Sequence, residues 1–244
     1  MADTDASSVR ILWARVLVEG LVIVGSILLA LAVDEWWESR ELEEAEMAIL
    51  ERLAHEFDEN EAQFERKAGE HREVLVCGEA LLEVTGSQAR GELPVDSLST
   101  LLWNFLRTST YDPADGVLNS LITSGEIGII TNPDLRTALA GWPSLVKDLK
   151  EDEDAAWTHR DDVIFPFMND VVSFRSLHLS KNQEQFQRPS DFPDGLRELL
   201  RNREFENIVA SRLVSVESGI IPALRAIEVG LDSIRTLIAS EINR

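Results

Sequence analysis

Apolar residues in this chain form one unbroken run near the start and a helical rhythm almost everywhere after it. Val16 to Val33 reads VLVEGLVIVGSILLALAV, with Glu19 as its one charge. Counted back to Ile11, the run reaches the roughly 20 residues that span a bilayer core. Trp13 and Arg15 flank one end and Trp36 and Trp37 the other, where amphipathic rings settle at headgroup depth. The pattern predicts a short tail over 1–10 and a transmembrane helix over 11–33 that contacts lipid.

From Asp34 the apolar positions fall mostly three, four or seven apart, through Leu42, Leu50, Leu53, Phe57, Phe64, Ala68, Leu75 and Leu82. No proline precedes Pro94. The stretch therefore reads as one helix from about Ser8 to Val84, whose stalk over 34–85 projects roughly 75 Å. Glu38, Glu41, Glu43, Glu44, Glu46, Glu51 and Glu56 mark its solvated face.

Shorter helices are expected over 86–175, forming the membrane-distal part. Asp96 or Ser97 can cap the first, and Tyr111-Asp112-Pro113 opens the next, which stops at Ser124-Gly125. Asn132-Pro133 signals a fresh cap and first-turn proline. Pro143 and Pro166 should kink or interrupt the helix that follows. An irregular loop covers 176–195, and 196–244 supplies C-terminal helices kinked at Pro222. No useful period-2 strand appears. The predicted class is all-α: a transmembrane helix continuing into a long amphipathic helix, packed with a long C-terminal helix and shorter middle helices as an elongated bundle. Two long amphipathic helices could instead pair between subunits as a coiled coil.

Charge narrows the choice of partners. The chain has 44 acids and 23 bases, a net charge of −21. The first 33 residues hold three acids and two bases, so 41 acids against 21 bases fall on the rest. Such a surface repels phosphate backbones, so no nucleic-acid partner is expected. An apolar fraction of 44% is enough for a real core. Cys77 is the one cysteine, which excludes a disulfide-stapled scaffold and reads as a half-buried thiol.

Little in the sequence points to chemistry. None of His55, His71, His159 and His178 has a glutamate three residues before it, as a bundle-core di-iron site needs. Glu51, His55 and Glu59 share a helix face and could present metal ligands, but a solvated stripe is the simpler reading; His159, Asp161 and Asp162 are no stronger. The acid run Asp148, Glu151, Asp152, Glu153, Asp154 lacks the glycine and spacing of a calcium loop and reads as a wet surface. No nucleophile elbow, phosphate-binding glycine loop or zincin motif occurs. The expectation is a non-enzymatic protein without cofactor or metal.

Two further places stand out. Glu19 is an acid inside the apolar run and so a candidate functional group, either near the interface or in a channel-like assembly of the single helix. Gly20, Gly25, Ser26 and Ala30 form a small-residue strip that suits a homo-oligomer. Ser124, Gly125 and Arg136 form a corner, either a helix cap with a bridging arginine or a docking point for a protein partner at the membrane-distal tip.

Three segments together carry a resemblance. VEGLVIVGSILLALAVDEWWESRELEEAEMAILERLAHEF, LNSLITSGEIGIITNPDLRTAL and, more weakly, REFENIVASRL resemble a bacterial family of single-pass membrane proteins catalogued only as a domain of unknown function. The resemblance implies an anchored, helical, envelope-facing protein and brings no substrate, cofactor or catalytic residue. Paired Trp36-Trp37 after Asp34-Glu35 departs from the amide often found there.

The expected role is a membrane-anchored envelope protein presenting a helical interaction or scaffold surface, with a ligand or stress sensor as the alternative. Arg10 and Arg15 before the span, and acids after it, favour a bacterial inner-membrane location with a cytoplasmic N-terminus and a periplasmic domain. Ala30-Leu31-Ala32 also fits a signal-peptide cleavage site, but helical sequence continuing straight through it favours a retained anchor.

Overall fold

The computed structural model describes residues 5–86, 93–179, 188 and 190–244, with side chains from Glu19 onward except at 178 and 179. A single helix, α1 (Asp5–Val84), runs for 80 residues, about 120 Å at 1.5 Å per residue. Every residue from Glu19 to Glu44 is exposed. An 18-residue window of this stretch has a mean hydropathy of 1.7 and is 0% buried, so the helix is long and apolar enough to cross a membrane. Burial begins at Leu50 and recurs at Leu53, Phe57, Phe64, Ala68, Val74 and Leu81, one face of a 3.6-residue period.

The rest of the chain winds up and down that face. α2 (Val95–Phe105) packs on the far end of α1. The chain then returns along α1, donating Tyr111 Oη to the Asn60 carbonyl at 3.3 Å, through α3 (Gly116–Ser124) and a 3₁₀ turn at Glu126–Ile129. Thr131 meets Glu46, its backbone N–H at 2.6 Å and its hydroxyl at 2.9 Å from the carboxylate. α4 (Pro133–His159) carries the chain outward again to α5 (Phe165–Val171) and α6 (Phe174–Leu179). α7 (Leu196–Leu199) and α8 (Arg203–Ser215) follow, and α9 (Ile221–Ile242) runs back between α1 and α4. At its end Asn132 Nδ2 donates to Glu241 at 2.6 Å, and Arg235 pairs with Asp58 at 2.9 Å and with Glu61.

The fold is thus all-helical, with no strand among the described residues, and its long first and last helices pair within one chain. The described residues of 86–175 do not gather at the end remote from the apolar segment. They run the length of the bundle, because burial of Leu118, Leu121 and Ile130 needs the apolar stripe of α1 nearer Leu50. The expected turn over 86–94 lies mostly outside the described residues, as does 180–187 of the irregular stretch.

Several local expectations change for physical reasons. α2 begins after Pro94 without a side-chain cap, so neither Asp96 nor Ser97 serves as one. α3 begins at Gly116, not at Tyr111-Asp112-Pro113, because its start is held from α1: Asn60 Oδ1 accepts the Ala114 N–H at 2.7 Å, and Asn60 Nδ2 donates to the Ala114 carbonyl at 2.8 Å. Pro143 lies inside α4 without breaking it, flanked by the buried Leu139, Trp142 and Leu149. Pro166 and Pro222 each follow a π turn, in which the Phe165 N–H reaches Arg160 O and the Ile221 N–H reaches Val216 O. The wider turn accommodates a ring that would otherwise clash with the preceding carbonyls.

Candidate functional site

Trp36 and Trp37 are 58% and 66% exposed and meet edge to face, ring centroids 6.5 Å apart. The Arg40 guanidinium lies 5.6 Å from the Trp36 ring centroid. Glu19 is exposed on the apolar stretch of the same helix, and the Trp13 side chain lies outside the described residues.

At the corner the glycine stop is present, and no side-chain bridge from Arg136 occurs among the described residues. Gly125 adopts φ 78°, the left-handed conformation that ends α3, and the Ser124 hydroxyl accepts the Glu126 N–H at 3.3 Å. Arg136 is half-buried, and its backbone N–H closes the first turn of α4 on Asn132 O at 3.1 Å. Its position is not the expected one. The segment between the corner residues is tied to Glu46, about 20 Å beyond Val33 along α1. The far end of the bundle is instead where the Gly86 N–H meets Leu200 O at 2.9 Å.

His55 and Glu59 form a surface pair at 3.5 Å, 79% and 61% exposed. Among the described residues, no group of three or more His, Cys, Asp or Glu side chains is placed to hold a metal ion.

Two acids assigned above to solvated faces are buried. Glu56, 6% exposed, caps α3 from across the bundle, accepting the Val117 N–H at 2.6 Å and the Leu118 N–H at 3.1 Å. Glu153, 1% exposed, accepts the Tyr111 N–H at 3.1 Å and bonds His71 Nε2 at 2.9 Å. With Asn60 these residues form a polar spine between α1, α4 and the returning segment, beside the Phe64–Tyr111 ring pair. Burial pushes the Tyr111 phenol well above its usual pKa. A readable signal existed: Glu56 and Asn60 follow Leu53 and Phe57 by three, and Glu153 follows Leu149 by four, so all lie in core register. Glu56→Ala is expected to cost about 1–2 kcal/mol of stability through the lost cap, with little change for exposed Glu51→Ala. Urea unfolding of the two variants checks this, and equal losses would refute the cap.

At the level of Glu73, an open cavity of about 490 Å³ lies between α2, α4, α5 and α6. Trp103, Trp157, Phe165 and Phe174 form its walls, and Arg107, Thr108, Arg160 and Asn169 supply polar groups. Arg160 stacks 4.0 Å from the Trp157 ring centroid and 5.0 Å from that of Phe165. Its Nε donates to Asp161 at 2.7 Å, and Arg107 pairs with half-exposed Glu73 at 3.2 Å. Arg212, 3% exposed, sits behind this wall and donates from Nη2 to the Arg107 carbonyl at 2.8 Å. Its Nε and Nη1 are buried without an acceptor among the described residues. Burial, then the charge of Arg160, lowers its pKa to about 10. His159 is held below its usual range by burial and by Arg212.

Comparison with known protein families, with curated proteins and with solved structures finds no match to this chain.

Proposed function

We propose that this is a non-enzymatic, membrane-anchored protein that holds a helical interaction domain off the bilayer in the bacterial envelope. One observation carries the reading: the apolar part of α1 is wholly exposed, yet it continues without a break into a helix whose next turns form the core of a bundle. Exposed apolar area of this extent needs a cover, and lipid fits its length. The Trp36, Trp37 and Arg40 cluster suits headgroup depth at its end.

The neck favours the bundle's standing clear of the membrane. Asp34 to Ala45 carries six acids and one base, and the first contact of α1 with the rest of the bundle is near Glu46. Anionic headgroups repel such a neck, which keeps it extended. The arginines before the span and the acids after it support a cytoplasmic N-terminus and a periplasmic bundle at the inner membrane.

The full chain is expected to sediment with membranes, to resist alkaline carbonate and to be released by detergent. Protease added to spheroplasts should digest the bundle. Recovery of the intact chain in the soluble fraction without detergent overturns the anchor, and protection in spheroplasts overturns the orientation.

A further inference from the structure

The cavity at the level of Glu73 has a composition at odds with the rest of the molecule. The chain carries 44 acids, yet no carboxylate lines this cavity among the described residues, while two arginines do. Its volume of about 490 Å³ falls in the range of small-molecule pockets, and its mix of aromatic walls with a few polar groups is theirs too.

Electrostatics gives the cavity a sign. Arg107 has Glu73 and Arg160 has Asp161 as counter-charges, but Arg212 has no carboxylate in contact among the described residues. A buried guanidinium without a counter-charge is costly, and beside a second guanidinium more so, although the Arg107 carbonyl and the Phe105 ring, 5.3 Å away, offset part of that cost. Glu73, Glu70 and Asp161 offset Arg107 and Arg160, whereas Arg212 keeps two nitrogens without acceptors among the described residues, so the charge left unopposed at this wall is that of Arg212. A positive potential therefore persists at one end of an otherwise apolar cavity, strengthened by the low dielectric around Arg212.

We propose that this cavity binds a small organic anion with a flat apolar body, the body lying between the aromatic walls and the anionic head meeting Arg107, Thr108 and Arg160. The simplest such ligand is an aromatic carboxylate. Arg107 is the residue best placed to take the head, since its side chain is 38% exposed and bound to Glu73 through Nη1. Arg160 is braced by ring stacking and by its Nη1 donation to the Thr108 hydroxyl, so it presents a fixed charge. Arg212 acts from behind as a positioning residue, holding the Arg107 backbone and adding charge. This inference is independent of the anchor, because a chain that proved soluble could still bind the ligand.

The full chain in lipid nanodiscs is titrated with 1-naphthoate and with uncharged 1-naphthamide, with empty nanodiscs as the blank. Tryptophan fluorescence includes Trp103 and Trp157 among the six tryptophans, and calorimetry supplies the affinity and stoichiometry. Saturable one-site binding of naphthoate is expected, with naphthamide at least about tenfold weaker. Arg107→Gln should weaken naphthoate by about tenfold and leave naphthamide unchanged. If that variant melts early, Trp157→Ala tests the aromatic wall, which is 38% exposed and removable without opening the core. Equal binding of acid and amide, no saturation into the millimolar range, or variants that bind like the parent overturn the proposal.

Discussion

Replacing Glu153 with alanine is expected to lower the stability of the bundle by about 3–5 kcal/mol, the usual cost of removing one member of a buried polar pair. The Glu153 side chain is 0% exposed and that of His71 5%, with 2.9 Å between Oε1 and Nε2. The other carboxylate oxygen takes the Tyr111 N–H at 3.1 Å. The truncation therefore orphans an imidazole nitrogen and a backbone donor at once, each of which carries a desolvation penalty. Replacing both partners, as in His71→Leu with Glu153→Leu, should recover much of the loss, because an apolar pair leaves only the Tyr111 N–H unmet. Urea unfolding of the detergent-solubilised chain, run as a double-mutant cycle, measures the coupling. A loss under about 1 kcal/mol for the single variant would mean that water reaches the pair, contrary to its burial.

Trp142→Ala is expected to cost a similar amount, about 3–5 kcal/mol, by leaving a cavity where three helices meet. Trp142 is 2% exposed and packs edge to face on Phe57 of α1, with centroids 5.3 Å apart. α9 approaches from the other side at Gly230, where an added Cβ would lie 3.4 Å from Trp142 Cζ3 and 2.9 Å from Leu145 Cδ1. One indole thus spaces α1, α4 and α9. For a bundle of this size the loss corresponds to a fall in melting temperature of roughly 6–20 °C. Trp142→Phe, which keeps a ring against Phe57, should lose less than half as much. A scanning calorimetry trace with equal losses for both variants would show that ring packing at this point does not matter.

These two variants also separate what periodicity shows from what it hides. Trp142 lies in the stripe Leu135, Leu139, Trp142, Leu149, so its burial follows from spacing alone. Glu153 continues the same stripe, but it lies within a run of acids that reads as solvated surface. The sequence shows the charge and not the partner, and His71 lies 82 residues away. The same is true of Glu56, whose two backbone partners lie 61 and 62 residues on. Asp115 stands at the start of α3 but makes no side-chain cap bond, because Glu56 of α1 takes the free N–H groups instead, and local pattern alone puts the start too early. Asn132-Pro133, where cap and helix are adjacent, was legible: Asn132 Oδ1 accepts from Asp134 and Leu135 at 2.9 and 3.1 Å.

The site follows the same division. The exposed tryptophans next to the apolar run were visible, since position along one helix is a matter of counting. The cavity was not, because the pair Trp103 and Arg107 meets Trp157 and Phe174 from two later stretches that share no local pattern with it.

Taken alone, the order of residues determined the helical class, the apolar span, the unbroken first helix and the glycine stop at Gly125. Each depends on neighbours within a few residues, where backbone geometry and hydrophobic period leave little choice. Tertiary structure decided the path of 95–175 along the bundle, the burial of Glu56 and Glu153, and the gathering of arginines behind an aromatic cavity. Those outcomes depend on which faces meet, and a buried charge is tolerated only where a distant segment supplies its hydrogen bonds.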